Sequence, residues 1–172
     1  MEATLAGKVI NFCNINKMYK NLLSLTNKVA VVTGGGKTIG LACSQALGEF
    51  GAKVVVATRN PDTALDGIEY LKKHDIDADL VPLEVTNPEK VAELATTLEE
   101  RYGKIDILVN NAGICHWIPA EDTPDESWHD ILDTNLNGVF WCSREFGKIM
   151  LKNKSGSIIN IGSISGDIIN VP

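Results

Sequence analysis

The chain has 172 residues, enough for one domain with a real core. Its net charge is −6, from 16 basic and 22 acidic residues, which argues against a nucleic-acid footprint. No apolar run reaches the length of a membrane span, and 44% hydrophobic with 22% charged residues describes a globular chain rather than a disordered one.

Residues 1–27 read as an N-terminal extension. They mix Asn, Lys and apolar side chains, lack the continuous apolar stretch of a secretory signal, and contain no arginine. From residue 28 the pattern alternates strand and helix. Residues 28–33 are a short β-branched run ending in glycines, as a buried parallel strand does. Ile39, Ala42, Cys43, Ala46, Leu47 and Phe50 follow at the spacing of one helical face, and Gly51 stops that helix. A second strand is expected over 53–58, a helix over 64–73 and a third strand over 78–83. Thr86 and Glu89 stand at capping-box spacing with Pro88 in the first turn, and Val91, Leu94, Ala95 and Leu98 make the stripe of a helix that Gly103 ends. A fourth strand is expected over 105–109. Thr123 and Glu126 repeat the capping-box spacing with Pro124 at the first helical position, the helical pattern runs to about Asn153, and a fifth strand is expected over 157–161.

This β-α-β-α-β-α-β-α-β order predicts a doubly wound parallel sheet of Rossmann type over residues 28–172. Ligands of such sheets bind beyond the carboxyl ends of the strands. The residues there are Thr33 to Gly36, Thr58, Arg59 and Asn60, Glu84 and Val85, Asn110 to Gly113, and Gly162 and Ser163.

Thr33-Gly34-Gly35-Gly36-Lys37-Thr38-Ile39-Gly40 joins the first strand to the first helix. Glycines there permit a tight turn and bring backbone N–H groups close to a phosphate, and the helix N-terminus adds partial positive charge. Gly40 lets helix and strand pack closely. An acid at the end of the second strand would bind a ribose 2′-hydroxyl. That place holds Thr58 and then Arg59, whose forked guanidinium suits a 2′-phosphate, with Lys37 in the glycine turn within reach of the same group. Two cations and no acid favour NADP(H) over NAD.

The four cysteines, Cys13, Cys43, Cys115 and Cys142, form no C-x-x-C pair and have no histidine at zinc-ligand spacing. They are expected to be reduced thiols packed as small apolar side chains, without a metal site, in a reducing and cytoplasmic setting.

The run Thr33 to Gly40, Asn110-Asn-Ala-Gly113, Asn135-Leu-Asn-Gly138 and Ile161-Gly-Ser163 together resemble the short-chain dehydrogenase/reductase family, in that family's order and on the expected elements. The resemblance implies hydride transfer between NADP(H) and a small-molecule carbonyl or secondary alcohol. By the same resemblance Asn135 matches an asparagine that holds a water relay, and Ser163 a serine that binds the substrate oxygen. Gly34, Gly36, Lys37, Thr38, Ile39 and Gly40 match the glycine-turn region, Glu84 and Val85 the adenine-side pair, and Asn111, Ala112 and Gly113 the segment lining the cofactor. The stretch from Gly162 to Pro172 is similar to the branch that reduces ketoses or oxidises polyols; a 3-oxoacyl reductase is the enzymatic rival. The family forms subunit contacts through its fourth helix, so a homo-oligomer is implied for a full-length protein, with neither membrane nor nucleic acid as partner.

Three departures stand out. Thr38 occupies the place of the family's second turn glycine, Glu84 that of its usual aspartate, and no Tyr-x-x-x-Lys is present. Tyr19, Tyr70 and Tyr102 are followed four residues on by Leu23, His74 and Asp106. A tyrosine of ordinary pKa, about 10, needs a nearby cation to act as an acid/base near neutrality. The chain therefore reads as the cofactor half of a domain, incomplete on its C-terminal side, with a fifth strand left as a sheet edge and little activity alone. A non-catalytic NADP(H)-binding protein is the reading from another class. His116 and Trp117 are expected as a partly buried loop pair, Trp128, Ile131, Leu132 and Phe140 as packing residues, and His74 and His129 on the surface.

Overall fold

The computed structural model describes residues 2–5, 8–11 and 22–163. Cys13, Tyr19 and the end of the segment compared with the ketose branch, residues 164–172, lie outside them. Within the stretch read as an extension, β1 (Glu2–Leu5) and β2 (Lys8–Asn11) pair antiparallel.

The domain then runs β3 (Val29–Thr33), α1 (Thr38–Glu49), β4 (Lys53–Thr58), α2 (Leu65–Lys73), β5 (Ala78–Pro82), α3 (Pro88–Tyr102), β6 (Ile107–Asn110), α4 (Asp125–Leu132), α5 (Gly138–Lys152) and β7 (Ser157–Asn160). The five strands form one parallel sheet in the order β5-β4-β3-β6-β7. This is the doubly wound sheet that the sequence predicts. The strand order reverses between β3 and β6, which opens a crevice at their carboxyl ends.

The β-branched runs explain the layering. In β3 and β4, Val29, Val31 and Val55 join the layer of α3 and α5, built on Leu98, Phe146 and Ile149. Ala30, Val32, Val54 and Val56 face the opposite layer, with Ile68 and Leu71 of α2. Both faces are covered, so these strands are apolar throughout rather than alternating. At the edge, all four residues of β7 are exposed.

Three local expectations are corrected. The inward face of α1 is Gly40, Ser44 and Leu47, flanked by Leu41 and Cys43, while Ile39, Ala42, Ala46 and Phe50 are exposed. The helix lies so close to the β3 turn that only small side chains fit: a Cβ on Gly40 would fall 2.3 Å from the Gly34 carbonyl oxygen. The cap of α3 is Asn87, whose Oδ1 accepts from the Lys90 N–H at 2.9 Å, so Pro88 and not its neighbour opens the helix. Thr123 caps nothing; its hydroxyl donates to the Pro119 carbonyl at 3.0 Å, closing the turn before α4. The helical pattern expected to about Asn153 does run unbroken to Lys152, with a π-helical turn at Asp133–Asn137 between α4 and α5.

Exposure corrects three more. Trp117 is 91% exposed and His116 is exposed too, so the loop pair is not buried. Trp128 and Phe140 are exposed rather than packed inside the domain. Cys115 is exposed, Cys43 half-buried and Cys142 buried, all three as free thiols. Burial pushes the Cys142 thiol up to about 12, which keeps it protonated near neutrality. His74 and His129 are on the surface.

Candidate cofactor site

The turn after β3 is bent by Gly34, whose φ of +65° favours glycine, and is tied down by the Gly34 N–H donating to the Ala57 carbonyl at 2.7 Å. The Ser44 hydroxyl reaches up from α1 to donate to the Gly35 carbonyl at 3.0 Å. No side chain caps the N-terminus of α1, so its first N–H groups remain available to an anion at the turn. Thr38, at the place of the missing glycine, has φ +43°. That is the left-handed region, where a β-branched residue is strained.

Beneath the turn, Thr33 organises the second wall. Its buried hydroxyl donates to the Val109 carbonyl at 3.3 Å and accepts from the N–H groups of Asn111 and Ala112, both at 3.0 Å. The Asn111 amide donates to the carbonyls of Thr33 at 2.9 Å and Gly34 at 3.2 Å. One hydroxyl and one amide thus lock the ends of β3 and β6 together across the switch point. Asn110 extends the lock to β7 and α5, donating to Asn160 Oδ1 at 2.8 Å and Ser143 Oγ at 2.9 Å.

Between these walls lies a cleft of about 380 Å³. Of the residues singled out in the sequence, Gly34, Lys37, Thr38, Ile39, Thr58, Arg59, Glu84, Val85, Asn111, Ala112 and Gly113 line it. Thr33 and Gly40 stand behind the wall. Gly36 faces away, toward Ala64, which a Cβ there would meet at 2.3 Å. Asn60 is turned to the following loop, where its Oδ1 accepts from the Asp62 N–H at 3.1 Å. Asn135 sits on the π-helical turn and pairs with the main chain of Ile114 in both directions, at 2.8 and 2.9 Å. Ser163 lies just past β7 with its side chain exposed. Ile161, the first residue of the Ile161-Gly-Ser163 motif, lines the cleft too; so do Ala57, Leu83, Ile114 and Thr134, which no sequence motif contains. Ile114 and Thr134 each adjoin a motif, which was the available signal; Ala57 and Leu83 are ordinary strand-end residues without one.

The cleft's charges are few. Lys37 and Arg59 supply the cations, and Arg59 Nε lies 3.8 Å from Glu84 Oε2. Among the described residues no group of His, Cys, Asp and Glu is placed to hold a metal, and no helix is long and apolar enough to cross a membrane.

The sequence pattern of the short chain dehydrogenases matches residues 28–171. The chain belongs to this family of oxidoreductases. It is 44% identical over 155 residues to a galactitol 2-dehydrogenase of Rhizobium johnstonii, covering 90% of this chain and 60% of that protein. It is 40% identical over 146 residues to a 3-oxoacyl-[acyl-carrier-protein] reductase of Synechocystis, covering 84% and 59%. A gluconate 5-dehydrogenase from Burkholderia cenocepacia, solved in complex with NADP and tartrate, superposes with TM-score 0.81 at 32% identity, over 88% of this chain and 60% of that one. An NAD+-bound xylitol dehydrogenase superposes with TM-score 0.80 at 28% identity, over 85% and 56%. The short-chain dehydrogenase segment described here thus spans about 60% of the length of these relatives.

Proposed function

We propose that this chain provides the NADP(H)-binding part of an oxidoreductase that moves a hydride between a nicotinamide and the carbonyl or secondary alcohol of a sugar or polyol. The observation that carries the cofactor reading is the end of β4, where Thr58 and Arg59 stand in place of an acid and Lys37 faces the same cleft. A cation pair suits a 2′-phosphate, whereas a carboxylate there would suit a free 2′-hydroxyl. The glycine cradle supports the fit. The uncapped helix start and the side-chain-free wall at Gly34 leave room for a pyrophosphate, and Gly40 behind it lets α1 approach, since a Cβ there would push into the Gly34 carbonyl.

When bound, the nicotinamide supplies the hydride or accepts it. The protein's own part is to orient and to stabilise charge. In this reading Asn135 fixes the loop after Gly113 through Ile114, and the Ser163 hydroxyl donates to the substrate oxygen as negative charge develops there. The sugar or polyol class is favoured by the galactitol and gluconate dehydrogenases among the similar proteins; the 3-oxoacyl reductase is the alternative. Neighbours with NAD+ and with NADP both occur, so the cofactor choice rests on Arg59 and Lys37. Exposed Leu136 and Phe140 on and before α5 support self-association of a full-length protein, and a cytoplasmic setting goes with the free thiols.

The 172-residue chain carries no Tyr-x-x-x-Lys, and by itself it is expected to bind NADPH without turning over a carbonyl substrate. Titration of the purified chain with NADPH and NADH, followed by nicotinamide fluorescence, tests the cofactor. Arg59→Ala should weaken NADPH about ten-fold and leave NADH nearly as before, the effect of one charge-assisted phosphate contact. Equal weakening of both would refute it. Steady NADPH consumption with a ketose, at an ordinary enzymatic rate, would refute the expected inactivity.

A further inference from the structure

Arg59 and Glu84 leave adjacent strand ends. Arg59 follows β4 and Glu84 lies two residues past β5, and the Leu83 N–H donating to the Thr58 carbonyl at 2.9 Å holds the two backbones side by side. Across this edge of the cleft the Arg59 Nε and Glu84 Oε2 are 3.8 Å apart. The pair is unequal: the Glu84 side chain is 28% exposed, the Arg59 side chain 72%. The carboxylate is the more enclosed member and the guanidinium the more exposed one. An aspartate on the same backbone would end one methylene, about 1.5 Å, short of this position.

A guanidinium drawn toward a carboxylate is less available to another anion. A 2′-phosphate entering the cleft must take Arg59 from Glu84 or share it with a neighbour of its own charge; a cofactor without that phosphate meets neither cost. We propose that Glu84 is a specificity-determining residue that restrains Arg59 and so limits the preference of this site for NADP(H) over NAD(H). The inference rests on the cofactor reading given above.

The experiment compares the NADPH-to-NADH affinity ratio of the purified chain with that of Glu84→Gln, Glu84→Asp, Arg59→Ala and the Arg59→Ala/Glu84→Gln double variant. Both side chains are at the cleft rim, and the backbone bond between their strands is untouched by any of these changes. Glu84→Gln should raise the ratio about two- to five-fold, the range open to an exposed ion pair. Glu84→Asp should raise it by less, because the charge remains but no longer reaches. The gain should vanish in the Arg59→Ala background and shrink at high salt. A Glu84→Gln ratio equal to or below wild type, with Arg59→Ala still weakening NADPH, would overturn the role of Glu84 and leave the cofactor reading standing. A gain of equal size without Arg59 would also overturn it, since the carboxylate would then act on the phosphate directly. An Arg59→Ala variant that binds NADPH as tightly as wild type would remove the cofactor reading and this inference together.

Discussion

At the N-terminal ends of the sheet strands, charge is matched closely with charge. Buried Asp106 takes Lys28 at 2.7 Å, Lys104 at 3.3 Å and the Val29 N–H at 3.0 Å. Asp79 takes Lys53 at 3.3 Å, Arg101 at 2.8 Å and the Tyr102 hydroxyl. At the C-terminal ends of the same strands, neutral hydrogen bonds of Thr33, Asn110 and Asn111 tie the strands, and the charged groups lining the cleft make only the loose Arg59–Glu84 contact, beside glycine backbone and an uncapped helix start. The lower end pairs its charged groups with one another and staples strand to strand through them. The upper end keeps its cations and N–H groups turned to an open cleft, where a phosphorylated ligand can claim them. The division is physical: a group already satisfied inside the protein gains little from a ligand.

Substitutions at four positions break or sharpen this contrast. Gly40→Ala should have the largest effect, because its Cβ would meet backbone at 2.3 Å and the Asn111 amide at 2.5 Å. We expect a loss of about 3 kcal/mol in urea unfolding and more than ten-fold weaker NADPH binding. Asp106→Ala should cost about 2 kcal/mol, through the orphaned Val29 N–H and the lost ion pairs, yet leave nucleotide affinity per folded molecule unchanged. A large change in affinity would mean the two ends are not independent.

The same carboxylate gives a pH test. Burial pushes the Asp106 carboxyl up, but the hydrogen bonds from Lys28 and Val29 outweigh it and hold it below the ordinary carboxylate range. A lowered folded-state value stabilises the protein above the unfolded value, near pH 4, and the benefit is lost as pH falls further. The stability gap between wild type and Asp106→Asn should therefore narrow below about pH 4.

Thr33→Val removes the acceptor for two N–H groups at the switch point and should cost about 1–2 kcal/mol with a several-fold loss of nucleotide affinity. The smallest effect is expected for Thr38→Gly. Relief of the +43° backbone is worth about 1–2 kcal/mol, and the added freedom of the unfolded chain cancels about half of it. A net gain of about 0.5 kcal/mol in thermal or urea unfolding would confirm the strain; a loss would show that the threonine side chain makes a compensating contact.

The sequence by itself determined the strands, their parallel order of appearance and the places where glycine ends a helix. Those features follow from local rules: β-branched runs buried on both faces, and positive φ at Gly51 and Gly103, which the chain shows at +97° and +75°. It also marked most of the cleft, since a doubly wound sheet puts its ligand at strand ends that can be read from the strands alone. Tertiary structure decided the rest. Periodicity could not tell that Gly40 and Ser44, rather than Ile39 and Phe50, face the sheet, because that depends on how near α1 lies to Gly34. Capping-box spacing could not choose between Thr86 and Asn87, nor foresee that Thr123 would serve a different turn. The π-helical break that carries Asn135 to Ile114, and the reach of Glu84 to Arg59, join residues from different elements. A linear pattern records which residues are present and how they are spaced; only the packed chain fixes which of them meet.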